Sequence, residues 1–231
     1  MNRNLTLMIH WLLDQALPPV LRDSRWLMAP LFRLALGPKY HYYLSFKERL
    51  PELTEAQIQD YYRLLADTFI QRDTDLNRAS VQAVLDQVTG ETVLDVACGS
   101  GWLSRQLADK GFQVTGGDIV PPRSQPESTQ LTFCQADVTC LEFDDNCFDT
   151  VICAHTLEHV RDIDQALSEI RRVCRKRLII VLPCQREYRY TFDLHIHFFP
   201  YEYQLRALLG PNARIIRAGG DFVAIEEQAE G

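Results

Sequence analysis

From Glu91 onward, short apolar, β-branched runs alternate with stretches of helical periodicity. That alternation restricts the fold more than any other feature of the chain. ETVLDVA (91–97), FQVTGGDI (112–119), LTFCQAD (131–137), CFDTVICA (147–154) and RLIIVLP (177–183) read as strands. GWLSRQLADKG (101–111), DIDQALSEIRRVCRK (162–176) and FPYEYQLRALLG (199–210) read as helices. Strands separated by helices pair in parallel, because a parallel neighbour needs a long crossover. RLIIVLP is apolar enough to be buried on both faces of a sheet. The segment PPRSQPESTQ (121–130) is too broken for a long helix, so the second crossover is short. ARIIRAGG and DFVAIEEQ follow as two strands, and the tight Gly219-Gly220 link makes them a hairpin. An α/β sheet with helices on both faces is the expected architecture.

Before this region the chain is helical and rich in aromatic residues. Residues 4–17 read as a helix stopped by Pro18-Pro19, and 24–36 as a second ended at Gly37-Pro38. Further helices are expected over 55–69 and 76–88. The division is a helical N-terminal extension, 1–75, and an α/β domain, 76–231. The first 36 residues are apolar, but Asp14, Arg22, Asp23, Arg25 and Arg33 interrupt them. No window reaches roughly 18 uninterrupted apolar residues, so a membrane span is not expected. No small-residue cleavage site marks a signal peptide. Two readings remain for residues 4–36. They pack on the rest of the protein or on each other, or they touch a membrane surface or a greasy substrate, for which Trp11, Trp26 and the flanking arginines are suited.

A net charge of −7 disfavours binding to nucleic acid by bulk electrostatics. Seven cysteines, an odd number with no CxxC pair, point to a reducing, cytoplasmic setting without a disulfide framework or a zinc ribbon. Peripheral association with a membrane is the variant of that localisation which residues 4–36 leave open.

The chemistry centres on Val93-Leu94-Asp95-Val96-Ala97-Cys98-Gly99-Ser100-Gly101, where a strand ends and a helix begins. Glycines there let the backbone approach a ligand, and the helix start adds unpaired N–H groups. Asp118 closes the next strand about 20 residues on, where a carboxylate accepts both ribose hydroxyls of a nucleoside. Asp137, in QADV, is suited to an adenine amino group. Ala154 and His155 lie at the carboxyl end of the fourth strand, the edge at which open α/β sheets bind ligands.

With these four ordered motifs, VLDVACGSG, VTGGDI, QADV and FDTVICAHTLEHVRDIDQALSEIRRV, the chain resembles the class I S-adenosylmethionine-dependent methyltransferases over about residues 55–210. The group that includes the ubiquinone-biosynthesis methyltransferases is the nearest in pattern. The resemblance implies a Rossmann-like seven-stranded sheet of order 3-2-1-4-5-7-6 with strand 7 antiparallel, a lid within residues 1–75, and S-adenosyl-L-methionine as cofactor. By motif position, Asp95, Ala97, Gly99 and Gly101 would surround the methionine part and ribose side. Asp118 would hold the ribose hydroxyls with Ile119 against adenine, Asp137 and Val138 would meet the adenine edge, and Ala154 and His155 would line the methionine and acceptor side. Ala97 stands where a glycine is frequent, and the usual Lys-Pro-Gly-Gly before the fifth strand is replaced by CRKRLIIVLP. A dinucleotide oxidoreductase is the rival on this fold, but the third glycine of its fingerprint is Ser104 here.

His155, Glu158 and His159 form H-x-x-E-H, and His195-Ile196-His197 follows the fifth strand. Such a set is able to bind Zn, Fe or Ni. Small-RNA 2′-O-methyltransferases carry a related E-x-x-E-H plus His site. LEHV also occurs in methyltransferases that need no metal, and His155 replaces the first glutamate, so no metal is assigned. Acid/base chemistry and a structural role are the other readings. An oxygen acceptor must lose its proton, which suits histidine. His155 is the first candidate base and His197 the second. The expected acceptor is a small metabolite, a glycan sugar or a lipid-linked molecule. A non-catalytic cofactor-binding regulator and an RNA methyltransferase are the alternatives.

Overall fold

The computed structural model describes residues 17–65, 73–122, 128–190 and 193–228. They fall into two compact units, residues 1–72 with 186–196, and residues 73–185 with 197–231.

The second unit carries seven strands: β1 (Thr92–Val96), β2 (Gln113–Asp118), β3 (Leu131–Gln135), β4 (Phe148–Ala154), β5 (Cys174–Pro183), β6 (Arg214–Ala218) and β7 (Asp221–Glu227). They form one sheet in the order β3-β2-β1-β4-β5-β7-β6, the order that the family resemblance implies. β1 to β5 are parallel, and β7 runs antiparallel to both β5 and β6. Successive residues along the central strands feed different cores, as the two-residue repeat of a strand requires. Val93, Ile152, Ile179, Val181 and Val223 meet the helices Arg78–Leu85 and Trp102–Ala108. Leu94, Val151, Cys153, Leu178 and Ile180 meet the helices Ile163–Val173 and Glu202–Leu209. Covering both faces is why β4 and β5 read as continuous apolar runs.

Two boundaries differ from expectation. The helix expected over 162–176 begins after Asp162, whose carboxylate caps the Gln165 amide (3.0 Å), and stops at Val173. Cys174–Lys176 are already strand, because Cys174 pairs with Phe148 before a register shift that leads to Thr150 and Arg177. Arg175 and Lys176 then reach the buried Asp149 at 2.6 and 2.9 Å. Burial alone would raise that carboxyl, but amides of Glu91 and Thr92 and the two cations outweigh it and hold Asp149 well below the usual carboxylate range. Arg171 pairs with Glu226 and Arg172 with Glu169 and Asp145, so the basic 171–177 run is spent on ion pairs within this unit. The third strand ends at Gln135, and Asp137 lies in the following turn, where it bridges back to Cys140.

The first unit contains the helices Pro19–Arg22, Arg25–Leu36, Tyr40–Arg49 and Glu55–Leu65. Met28, Phe32, Tyr43, Phe46, Ile58 and Tyr61 form its core together with Tyr188, Tyr190 and Leu194. The aromatic residues of the Tyr40–Tyr43 and Tyr61–Tyr62 runs belong to this core or lie against it. The helix expected over 4–17 lies outside the described residues, except for its last position. Helix Arg25–Leu36 buries Met28 and Phe32 and leaves Trp26 and Leu34 each 87% exposed. Among the described residues no helix is long and apolar enough to cross a membrane.

Candidate functional site

The sheet order reverses between β1 and β4, since β1 connects outward to β2 while β4 begins the other half. A crevice at the carboxyl ends of two such strands is where open α/β sheets take ligands. Both strands here end in a non-glycine residue in the left-handed region, Ala97 at φ 56° after β1 and His155 at φ 52° after β4. Such residues are uncommon and costly, and they turn the chain sharply away from the strand axis.

Past Ala97 the chain curls into the helix Trp102–Ala108. The Cys98 amide donates to the Gly117 carbonyl (3.1 Å) and the Gly101 amide to the Cys98 carbonyl (2.8 Å). Gly99 and Gly101 are left-handed as well, but for different reasons. A Cβ on Gly101 would lie 2.4 Å from the Phe133 ring, so packing demands glycine there. A Cβ on Gly99 would meet nothing within 4 Å, which leaves that side of the loop open to a ligand.

Asp118 ends β2 beside this loop. Its Oδ2 accepts from the Gly99 amide and its Oδ1 from the Val120 amide, both at 2.8 Å. Burial raises its pKa, and these two amides oppose the rise. Each oxygen keeps a further acceptor direction, which is what a ribose diol needs. Ile119 is half-buried next to it. Asp95, on β1, is 2% exposed and accepts from Ser104 Oγ at 2.6 Å. Burial lifts its pKa to about 7, with Asp118 adding to the lift and Ser104 opposing it. Ser104 therefore has a function of its own, as donor to Asp95. Asp137 receives the Thr139 amide (2.9 Å) and hydroxyl (2.7 Å) on one oxygen. Val138 points its side chain into the core, leaving only its backbone for an adenine edge. Ala154 closes β4 and is half-buried.

His155 reaches toward two buried carboxylates. Its Nε2 lies 3.3 Å from Asp221 Oδ1 and its Nδ1 3.6 Å from Glu158 Oε1. Burial lowers its pKa, but Asp221, Glu158 and Asp75 together raise it to about 9. Burial pushes Glu158 above the ordinary carboxylate range, against the pull of His155 and His159. His197 is tied to the same turn, its amide donating to the Glu158 carbonyl (3.0 Å) and its Nε2 to the Val160 carbonyl (2.9 Å). His195 falls in the first unit and His197 in the second, so the His195-Ile196-His197 run is divided. The sequence reading missed Asp221, which it treated as the first residue of a hairpin strand, and Asn77 and Ser80, which it passed over as the start of a helix. An Asn immediately before a helix start is a capping signal that was legible there.

Residues 94–182 match a family model described as methyltransferase domain. A demethylmenaquinone methyltransferase of Renibacterium salmoninarum is 32% identical over 135 residues, covering 54% of this chain and 56% of that protein. A 2-methyl-6-phytyl-1,4-hydroquinone methyltransferase of Synechocystis is 38% identical over 128 residues, covering 51% of this chain and 40% of that protein. The chain thus spans about half the length of the curated relatives it matches. The crystal structure of magnesium protoporphyrin IX methyltransferase from Synechocystis PCC 6803 with bound S-adenosylmethionine superposes with a TM-score of 0.53. It is 22% identical and covers 74% of this chain and 95% of its own. That likeness shows the fold.

Proposed function

We propose that this chain is a class I S-adenosylmethionine-dependent methyltransferase that methylates a small, lipid-linked aromatic acceptor of the quinol type, a reading supported by the methyltransferase-domain match, the relatives and the strand order. The observation that carries the cofactor assignment is Asp118, oriented by the Gly99 and Val120 amides at the open face of the glycine loop. Asp118 holds the ribose hydroxyls, Ile119 lies against adenine, and the free oxygen of Asp137 with the Val138 amide takes the adenine edge. Asp95 and the Ala97–Gly101 backbone hold the methionine part, and Ala154 borders it. The bound cofactor supplies an electrophilic methyl on a sulfonium. Because that methyl is already activated, the protein's task is to orient the acceptor, exclude water and take up a proton.

His155 is the proposed proton acceptor, with His197 the second candidate. Held at about 9, His155 is mostly protonated at neutral pH in the free protein, so the reaction quickens as pH rises toward that value. Support for a quinol-type acceptor comes from the names of the relatives, which act on demethylmenaquinone and on phytyl-substituted rings. Such substrates reside in lipid. The exposed apolar side chains Val20, Leu21, Trp26, Leu31 and Leu34 suit peripheral contact with a membrane.

Calorimetric titration with S-adenosylmethionine, with NADH as control, tests the cofactor. Transfer of labelled methyl to a demethylated, prenylated naphthoquinol tests the acceptor. Tight binding of the first ligand alone, followed by label in the ring product, is expected. Binding of NADH in its place would overturn the cofactor assignment, and label without acceptor dependence would overturn the acceptor class.

A further inference from the structure

The sequence motifs leave the β6–β7 hairpin outside the chemistry, yet its second strand opens with a carboxylate that faces His155. Asp221 is 2% exposed and sits where β7 begins, paired with Ala218 across the Gly219-Gly220 turn. Its two oxygens are divided. Oδ2 accepts from Ser80 Oγ at 2.6 Å and from Asn77 Nδ2 at 2.8 Å, while Oδ1 lies 3.3 Å from His155 Nε2.

The group behind it is built to stay still. Asn77 caps the helix Arg78–Leu85, its Oδ1 accepting the amides of Ala79 (2.9 Å) and Ser80 (3.0 Å). Its Nδ2 also donates to the Ala218 carbonyl (2.9 Å), which ties the helix start to the hairpin. A Cβ on Gly219 would come within 2.8 Å of the Asn77 side chain, so the turn fits against the cap only as glycine. Asn77 and Ser80, from one helix start, thus hold Oδ2, while Oδ1 faces His155.

We propose that Asp221, braced by Asn77 and Ser80, is a positioning residue that fixes the His155 ring through Nε2 and leaves Nδ1 as the nitrogen that exchanges a proton with the acceptor. This rests on the methyl-transfer reading above. The asymmetry of the two contacts carries it. Nε2 makes the closer approach, an ion-pair distance of 3.3 Å to Asp221 with no hydrogen bond closed, against 3.6 Å from Nδ1 to Glu158. A carboxylate on one ring nitrogen fixes the tautomer and orients the other nitrogen, as it does in the hydrolase triads. The left-handed backbone at His155, costly for a residue with a side chain, is the price of that orientation. The charged groups facing the ring are Asp221 on β7, Glu158 on the turn after β4, and Asp75 ahead of the helix Arg78–Leu85, with His159 acting on Glu158.

Nitrogen NMR of the full chain labelled in histidine tests this without reference to turnover, the His155 signal being assigned with His155→Gln. In the unsubstituted protein His155 should titrate near 9 and carry its proton on Nε2 once neutral. Asp221→Asn should lower the midpoint by about one unit or more and abolish the tautomer preference, while Glu158→Gln should shift the midpoint and keep the tautomer. A midpoint below about 7, or an Nδ1–H tautomer in the unsubstituted protein, would overturn the proposal. An unmoved midpoint in folded Asp221→Asn would do the same. In the assay, Asp221→Asn should lower kcat and shift the pH profile to the acid side with cofactor Kd unchanged. Absence of any methyl transfer by the unsubstituted protein would instead count against the methyltransferase reading and leave the NMR result standing.

Discussion

The Gly99 amide and the Asp118 carboxylate meet at 2.8 Å, and through that bond the loop after β1 is tied to the end of β2. In the proposed cofactor site Asp118 would serve twice, holding the loop and presenting acceptors to the ribose. Asp118→Ala should weaken S-adenosylmethionine binding by about 1–3 kcal/mol, the usual cost of removing a charged acceptor from a partly buried site. Calorimetry reads this directly. Unchanged affinity would remove Asp118 from the ribose site.

Asp95 introduces a pH dependence whose sign follows from its burial. Its carboxyl is raised from 3.8 in the reference state to about 7 in the fold. A group raised on folding costs nothing below its unfolded value, and the cost grows as pH climbs through the folded value. The cofactor-free protein should therefore lose stability between about pH 4 and about pH 7 and change little from this group above that. If Asp95 holds the methionine ammonium as proposed, only the ionised form binds it, so cofactor affinity should increase over the same interval and level off above about 7. Ser104→Ala removes the 2.6 Å donor that opposes the rise, which moves the limb to higher pH. Titrations across this range decide the matter, and a flat Kd would place the ammonium elsewhere.

His155→Ala should reduce turnover by about 100-fold or more, the lower range for loss of a positioned base, and leave cofactor affinity nearly unchanged. In the unsubstituted protein kcat/KM should climb with pH to about 9, well above an ordinary histidine, because two buried carboxylates face the ring. A profile that levels off near pH 6.5 would assign the limb to an unperturbed group. Equal turnover in the variant would shift attention to His197.

Why some of this was readable from sequence is a matter of range. Asp95, Gly99 and Asp118 were legible because each sits at a strand end, where hydrophobic alternation stops and a glycine or carboxylate stands out. The order of seven strands was implied by the family resemblance that the motifs carry, and the pairing agrees with it. Asp221 was not legible, because its importance comes from His155 and Ser80, which are distant in sequence and meet it only through the sheet. The end of the helix at Val173 was missed for a related reason. CRK has good helical propensity, but Cys174 finds a strand partner in Phe148, and Arg175 and Lys176 find Asp149. Val138 looked like an adenine contact by position, and its burial in the core restricts that contact to the backbone.

The helix Arg25–Leu36 offers the last test. Trp26 and Leu34 are each 87% exposed and Leu31 is 45% exposed, while Met28 and Phe32 are buried on the other side. At 100° per residue, Trp26, Leu34 and Leu31 lie within a single arc, with Arg33 beside it. An apolar arc with a tryptophan and a flanking arginine is the composition of a helix that lies in a lipid interface. Burying an exposed aromatic or aliphatic side chain contributes about 1.5–3 kcal/mol, and each arginine near an anionic surface adds about 1 kcal/mol. The protein should therefore co-sediment with vesicles containing anionic lipid and less with neutral ones. Trp26→Glu combined with Leu34→Glu should reduce that binding by about tenfold or more. The double variant should melt as the parent does, since neither side chain contributes to the core. If the unsubstituted protein stays in the supernatant with anionic vesicles, the face has another purpose and the acceptor must reach the site from water.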